Sequence, residues 1–121
     1  MKIAIVSNLD TEMMQIIEKI KERALSMDIG IGEITPVQRM IDIPIAVRKM
    51  GERPDIDSIL VIADFPELKM EHDSALFERI KADVDAIGME LKKPVKLEIF
   101  HEKEEIGEHI DSIMKEMLGE D

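Results

Sequence analysis

The sequence predicts an α/β fold, a three-layer sandwich in which helices cover both faces of a four-stranded parallel sheet of order 2-1-3-4. Three observations carry this expectation. Strand-like and helix-like hydrophobic periods alternate as βαβαβαβα, a pattern that demands right-handed crossovers between parallel strands. The apolar runs at 3–6 and 59–62 show no polar alternation, as expected of strands covered on both faces. The 121 residues, 45% apolar and 36% charged, suffice for one core but not two, so one domain over 1–121 is expected.

The first strand is read over 2–6, where Ile3, Ala4, Ile5 and Val6 make it the best candidate for a central position. Ser7, Asn8 and Asp10 then offer turn and N-cap oxygens, and from Met13 apolar residues recur at Ile16, Ile17, Ile20, Ala24 and Met27 with helical spacing. A weaker strand over 29–34 contains Gly30 and Gly32, which suits an edge. Thr35-Pro36-Val37-Gln38 carries one helix-start signal, and Asp42-Ile43-Pro44 carries a competing one. Because Pro44 lacks an N–H, the second helix is expected from Pro44 to about Met50, after an irregular loop or single turn, with Gly51 as its stop. The most apolar strand, 57–63, belongs beside the first. A long helix over roughly 69–91 follows, with Leu76, Ile80, Val84, Ile87 and Leu91 on one stripe. Pro94 opens the last strand, 95–100, and Ile106, Ile110, Ile113 and Met117 mark a final helix.

Composition removes several classes of function. The absence of cysteine excludes disulfides, thiolate metal sites and cysteine nucleophiles. A net charge of -11, without a basic stripe or a row of aromatics, argues against nucleic acid as a partner, because phosphate binding rests on Lys and Arg. No apolar run approaches the roughly 20 residues that span a bilayer, and Met1-Lys2-Ile3 passes into a strand pattern, so no membrane association and a cytoplasmic location are expected. The richness in Glu, Lys and Ile is a composition met in proteins of hot environments. The ten methionines read as flexible core filling.

Sheets of this kind bind ligands outside the carboxyl ends of the strands, next to the switch between the first and third strands. The loops expected to meet there carry Ser7, Asn8, Leu9 and Asp10, then Arg39, Asp42, Ile43 and Pro44, then Asp64 through His72, and His101 with Glu102. Imidazole titrates near neutral pH, so His72 or His101 could move a proton, although a surface or capping role is the plainer reading of each. A metal site of His72, Asp73, His101 and Glu102 has no recognised spacing, so no metal is expected. Arg39, near a helix start, could contact an anion or stand solvated. With no Gly-rich phosphate loop, Walker motif or nucleophile elbow, nucleotide hydrolysis and serine-type acyl transfer lack support.

Several local strings, in order, resemble the lumazine synthase superfamily, most closely archaeal-type riboflavin synthase. Ile3-Ala4-Ile5-Val6-Ser7-Asn8 resembles its first strand and turn, and 42–49, Asp-Ile-Pro-Ile-Ala-Val-Arg-Lys, its signature of an acidic residue, an apolar residue, proline and a basic-ended helix. The run at 57–63 is similar to its third strand, His72-Asp73-Ser74-Ala75-Leu76 to the opening of its long helix, and 95–102 to its fourth strand and exit. The resemblance implies a flavodoxin-like, lumazine synthase-like fold and a cytoplasmic homo-oligomer, a pentamer, with sites between subunits. It further implies the dismutation of 6,7-dimethyl-8-ribityllumazine to riboflavin and a ribitylaminouracil, without a cofactor.

By that resemblance Ser7 to Asp10 and Asp42 to Pro44 hold ring and ribityl groups, His72 is the proton-transfer candidate, and His101-Glu102 faces a neighbouring subunit. The sequence also departs from the family pattern. Leu9 replaces a stacking aromatic, Gln38-Arg39 a Pro-Gly pair, and Asp64 a glycine. These departures support an alternative, a catalytically silent relative that binds a small ligand or oligomerises. A receiver-like signalling domain shares the topology class, but this sequence lacks the acidic pair just after the first strand and the lysine after the last strand that such a domain carries.

Overall fold

In the computed structural model, residues 2–8, 11–64, 73–100 and 112 are described, and they form β1 (Lys2–Ser7), α1 (Thr11–Ser26), β2 (Gly30–Pro36), a 3-10 turn (Met40–Asp42), α2 (Ile43–Gly51), β3 (Ser58–Asp64), α3 (Asp73–Leu91) and β4 (Val95–Phe100). All strands are parallel in the order β2-β1-β3-β4, as the alternating pattern predicts. The expected final helix lies outside the described residues.

Each central strand divides its side chains between two cores, which explains the absence of alternation in its sequence. On one face Ile3 and Ile5 of β1 and Leu60 and Ile62 of β3 pack with Met13, Ile16, Ile20 and Ala24 of α1. On the other, Ala4, Val6, Ile59 and Val61 meet Ile43, Ala46, Val47 and Met50 of α2 and Ile80, Val84 and Ile87 of α3. Because strand side chains alternate in direction, a doubly covered strand must be apolar at every position.

Edge strand β2 is longer than its sequence pattern suggests and irregular. Its pairing with β1 slips between Ile3 and Ala4, which face Ile31 and Glu33, so Gly32 is the extra residue of a bulge. A Cβ there would lie 2.6 Å from Ile56 Cδ1, so a larger residue at this position would have to push the Ile56 side chain aside. The helix-start signal at Thr35-Pro36 is overturned: both residues belong to β2, and Pro36 ends it opposite Ser7. Proline's missing N–H costs little at the end of an edge strand. The Asp42-Ile43-Pro44 signal holds, with Pro44 in the first turn of α2 and a single 3-10 turn before it.

Gly51 is not the stop that its position suggests. It is the last residue of α2, followed by Glu52 in right-handed helical geometry. Its small size serves packing instead, since a Cβ would stand 2.6 Å from Leu91 Cδ1 and 3.3 Å from Ile59 Cδ1. The left-handed stops after the other helices fall to Asp28 (φ 60°) and Lys92 (φ 57°). Beyond α3 the Lys93 N–H donates to the Gly88 carbonyl at 3.0 Å and the Lys92 N–H to the Met89 carbonyl at 3.3 Å, which is a Schellman closure. A left-handed lysine is strained, so Lys92→Gly is expected to stabilise the fold by about 1 kcal/mol, read as a rise of a few degrees in thermal midpoint. An unchanged or lower midpoint would count against that assignment.

Charged pairs tie the opposite, amino edge of the sheet. Arg53 pairs with Glu33 of β2 and with Asp55, whose carboxylate also lies 3.7 Å from Lys2 Nζ. Between the helices, Arg48 Nη2 of α2 donates to Glu90 Oε2 of α3 at 2.6 Å. Hydrogen bonding from Arg53 holds the Asp55 carboxyl below the usual carboxylate pKa, and that from Arg48 does the same for Glu90. A carboxyl with a depressed folded-state pKa stabilises above the ordinary carboxylate range and loses that contribution as pH falls through the lowered value. Asp55→Asn and Glu90→Gln are therefore expected to make the acid limb of stability shallower in urea titrations across the carboxylate range. Their exposure keeps both effects small.

Candidate ligand site at the carboxyl edge of the sheet

Parallel strands discharge their following loops at one edge, and pairing places the first two loops side by side. Ser7, the last residue of β1, faces Pro36, and its carbonyl accepts the Val37 N–H at 3.0 Å. The chain therefore leaves β1 and β2 at one point. Asp64 ends β3 opposite Phe100 of β4, so the two remaining loops start at that same edge. α3 begins at Asp73 and packs against the 3-10 turn that precedes α2.

The predicted site residues fall into three groups. Ser7 is fully buried, and its hydroxyl donates over a long 3.4 Å to the Asn8 carbonyl. Asn8 is half-buried beside it. Ile43 is wholly buried in the core between sheet and helices, so its side chain supports the turn and is not presented to a ligand. Pro44 is half-buried, lining a groove of about 390 Å³ between α2 and α3 with Ile45, Arg48, Asp83, Ala86 and Ile87. Leu9, Asp10, His72, His101 and Glu102 lie outside the described residues, as does the side chain of Asp64. Among the described residues no group of three His, Asp or Glu side chains could hold a metal ion.

Arg39 and Asp42 form the most definite polar feature at this edge. Arg39 is extended (φ -134°, ψ 150°) just before the 3-10 turn, and its carbonyl accepts the Asp42 N–H at 3.1 Å. Its guanidinium reaches both oxygens of Asp42, Nε to Oδ2 and Nη2 to Oδ1, each at 3.3 Å. Arg39 thus stands exposed to solvent and paired with a carboxylate of its own chain. Asp42 occupies the N-cap position of α2 without making a capping bond, so its carboxylate is directed elsewhere.

Asp42 lines an open groove of about 410 Å³ with Thr35, Pro36, Val37, Gln38, Ile45, Ala46 and Lys49. Thr35 and Lys49 were not among the site residues expected from sequence. Lys49 had a readable signal, because positions 42, 45, 46 and 49 recur on one helical face at the start of α2. Thr35 had none, since its place depends on β2 running to Pro36. The groove offers an acceptor in Asp42, a cation in Lys49, polar groups in Thr35 and Gln38, and an apolar wall in Val37, Ile45 and Ala46. Such a lining suits a flat, partly apolar ligand with hydroxyl substituents.

No protein-family model matches the chain. Among curated proteins it is similar to the 6,7-dimethyl-8-ribityllumazine synthase of Archaeoglobus fulgidus, 34% identical over 89 residues, which cover 74% of this chain and 61% of that protein. The enzyme of the same name from Methanosarcina mazei is 28% identical over 79 residues, covering 65% of this chain and 59% of its own length. That of Methanopyrus kandleri is 26% identical over 96 residues, covering 78% and 68%. The chain thus spans about three-fifths of the length of the first two relatives. No helix among the described residues is long and apolar enough to cross a membrane.

Proposed function

We propose that this chain, a divergent relative within the lumazine synthase superfamily, acts in flavin biosynthesis by binding a ribitylated lumazine at the carboxyl edge of its sheet. The observation that carries the reading is the groove between the β2 exit and α2, where Asp42 stands beside an apolar wall. A carboxylate accepts polyol hydroxyls, and the wall accepts a heterocycle. The relatives are named lumazine synthases, whereas the local strings pointed to riboflavin synthase. Both names centre on 6,7-dimethyl-8-ribityllumazine, as product in one and as substrate in the other, so this molecule is the ligand proposed.

Dismutation to riboflavin is the activity proposed for the assembled protein. In that reaction a four-carbon unit passes from one lumazine to a second, leaving a ribitylaminouracil. It needs a proton taken from an acidic methyl group, the task proposed for His72. Ser7 to Asp10 and Asp42 to Pro44 are proposed to hold the ligand, and Asp64, His101 and Glu102 to border it, the last two from a neighbouring subunit of a homo-oligomer. Pure protein incubated with 6,7-dimethyl-8-ribityllumazine is expected to bind it, read by quenching of lumazine fluorescence, and to generate riboflavin, read by its longer-wavelength emission. Binding without riboflavin favours the silent ligand-binding relative, a reading also supported by the Arg39 pair across the second loop. Absence of both binding and product would reject the proposal.

A further inference from the structure

The Arg39 pair bears on how the proposed site is controlled, an inference that rests on the ligand reading above. Asp42 is the acidic side chain that lines the groove beside α2, and both of its oxygens are engaged by one guanidinium. A carboxylate so held has its best acceptor directions filled, and a polyol hydroxyl must displace Arg39 or take what remains. The pair is built to yield. Its two contacts are each 3.3 Å, long for charge-assisted hydrogen bonds, and the Arg39 side chain is 74% exposed. Arg39 also has an easy path outward, since it precedes the 3-10 turn in extended backbone and is not part of a helix.

We infer that Arg39 is an internal competitor for Asp42, an autoinhibitory contact that holds the groove in a state of low affinity for neutral, hydroxyl-rich ligands. Displacing the guanidinium frees the carboxylate to accept the ligand's hydroxyls. Salt, which screens an exposed ion pair, favours the released state. Lys49 borders the same groove, and as a cation on its rim it remains to balance Asp42 when Arg39 swings away.

The test is a fluorescence titration of the full chain with 6,7-dimethyl-8-ribityllumazine, using wild type, Arg39→Gln, Asp42→Asn and the double variant, each at low and high salt. Arg39→Gln is expected to tighten binding about two- to fivefold, the range available to an exposed ion pair. Salt is expected to tighten wild-type binding and to leave Arg39→Gln unmoved. The Arg39→Gln gain must vanish in the Asp42→Asn background, a dependence that a merely structural role for Arg39 would not produce. Wild-type binding with no gain in Arg39→Gln, or a gain that persists without Asp42, overturns the inference and leaves the ligand reading standing. Binding by Arg39→Gln alone supports the inference. Failure of every variant to bind overturns both.

Discussion

Leu60→Ala is expected to cost about 2–5 kcal/mol of stability, measured by urea denaturation followed by circular dichroism. Leu60 is fully buried on β3, a central strand, and faces Ile5 and Lys96 in register across its two neighbours. Its side chain belongs to the core beneath α1, where Ile3, Ile5, Ile16 and Ile20 surround it. Removing three carbons there loses transfer free energy and leaves a void that a parallel sheet, pinned on both sides by hydrogen bonds, cannot close. Such a loss is a large fraction of the 5–15 kcal/mol typical of a folded domain. Leu25→Ala is the matched control: Leu25 is 82% exposed on α1, and its truncation is expected to stay within about 0.5 kcal/mol. Equal losses at the two positions would contradict the burial of β3 between two layers.

His72→Ala is expected to lower riboflavin formation by about 10²–10⁴-fold, the usual contribution of a positioned acid or base. The residue immediately precedes Asp73, where α3 begins. In the proposed dismutation it takes a proton from the substrate methyl group, a step that needs the neutral imidazole. Wild-type activity should therefore rise with pH through the neutral range, and the residual activity of the variant should lose that limb. Lumazine binding, proposed to rest on the Asp42 groove, should change far less than turnover. Turnover retained at the wild-type level with the same pH profile would remove His72 from the chemistry.

The core of the fold was readable because it rests on local pattern. The uninterrupted apolar runs at 3–6 and 59–62 announced central strands, and the stripe from Leu76 to Leu91 announced a helix lying on them. Misreadings arose where one residue type serves two purposes. Pro36 can open a helix or end an edge strand, and Gly51 can stop a helix or admit a neighbouring side chain. The left-handed turns at Asp28 and Lys92 carried no glycine to announce them. Among the site residues, the proximity of Ser7 to the second loop followed from strand order. The burial of Ile43 and the capture of Asp42 by Arg39 did not.

By itself the sequence determined the layer architecture, the central strands and the edge of the sheet at which polar loops gather, because hydrophobic periodicity is set by neighbours a few residues apart and crossovers between parallel strands take one hand. Only the tertiary structure decided the bulge at Gly32, the close contact of Gly51 with Leu91, the groove beside α2 and the state of Arg39. Each of these depends on the distance between groups brought together by packing or by a turn's geometry. One-dimensional pattern records which residues want burial, and three-dimensional packing sets which atoms finally touch.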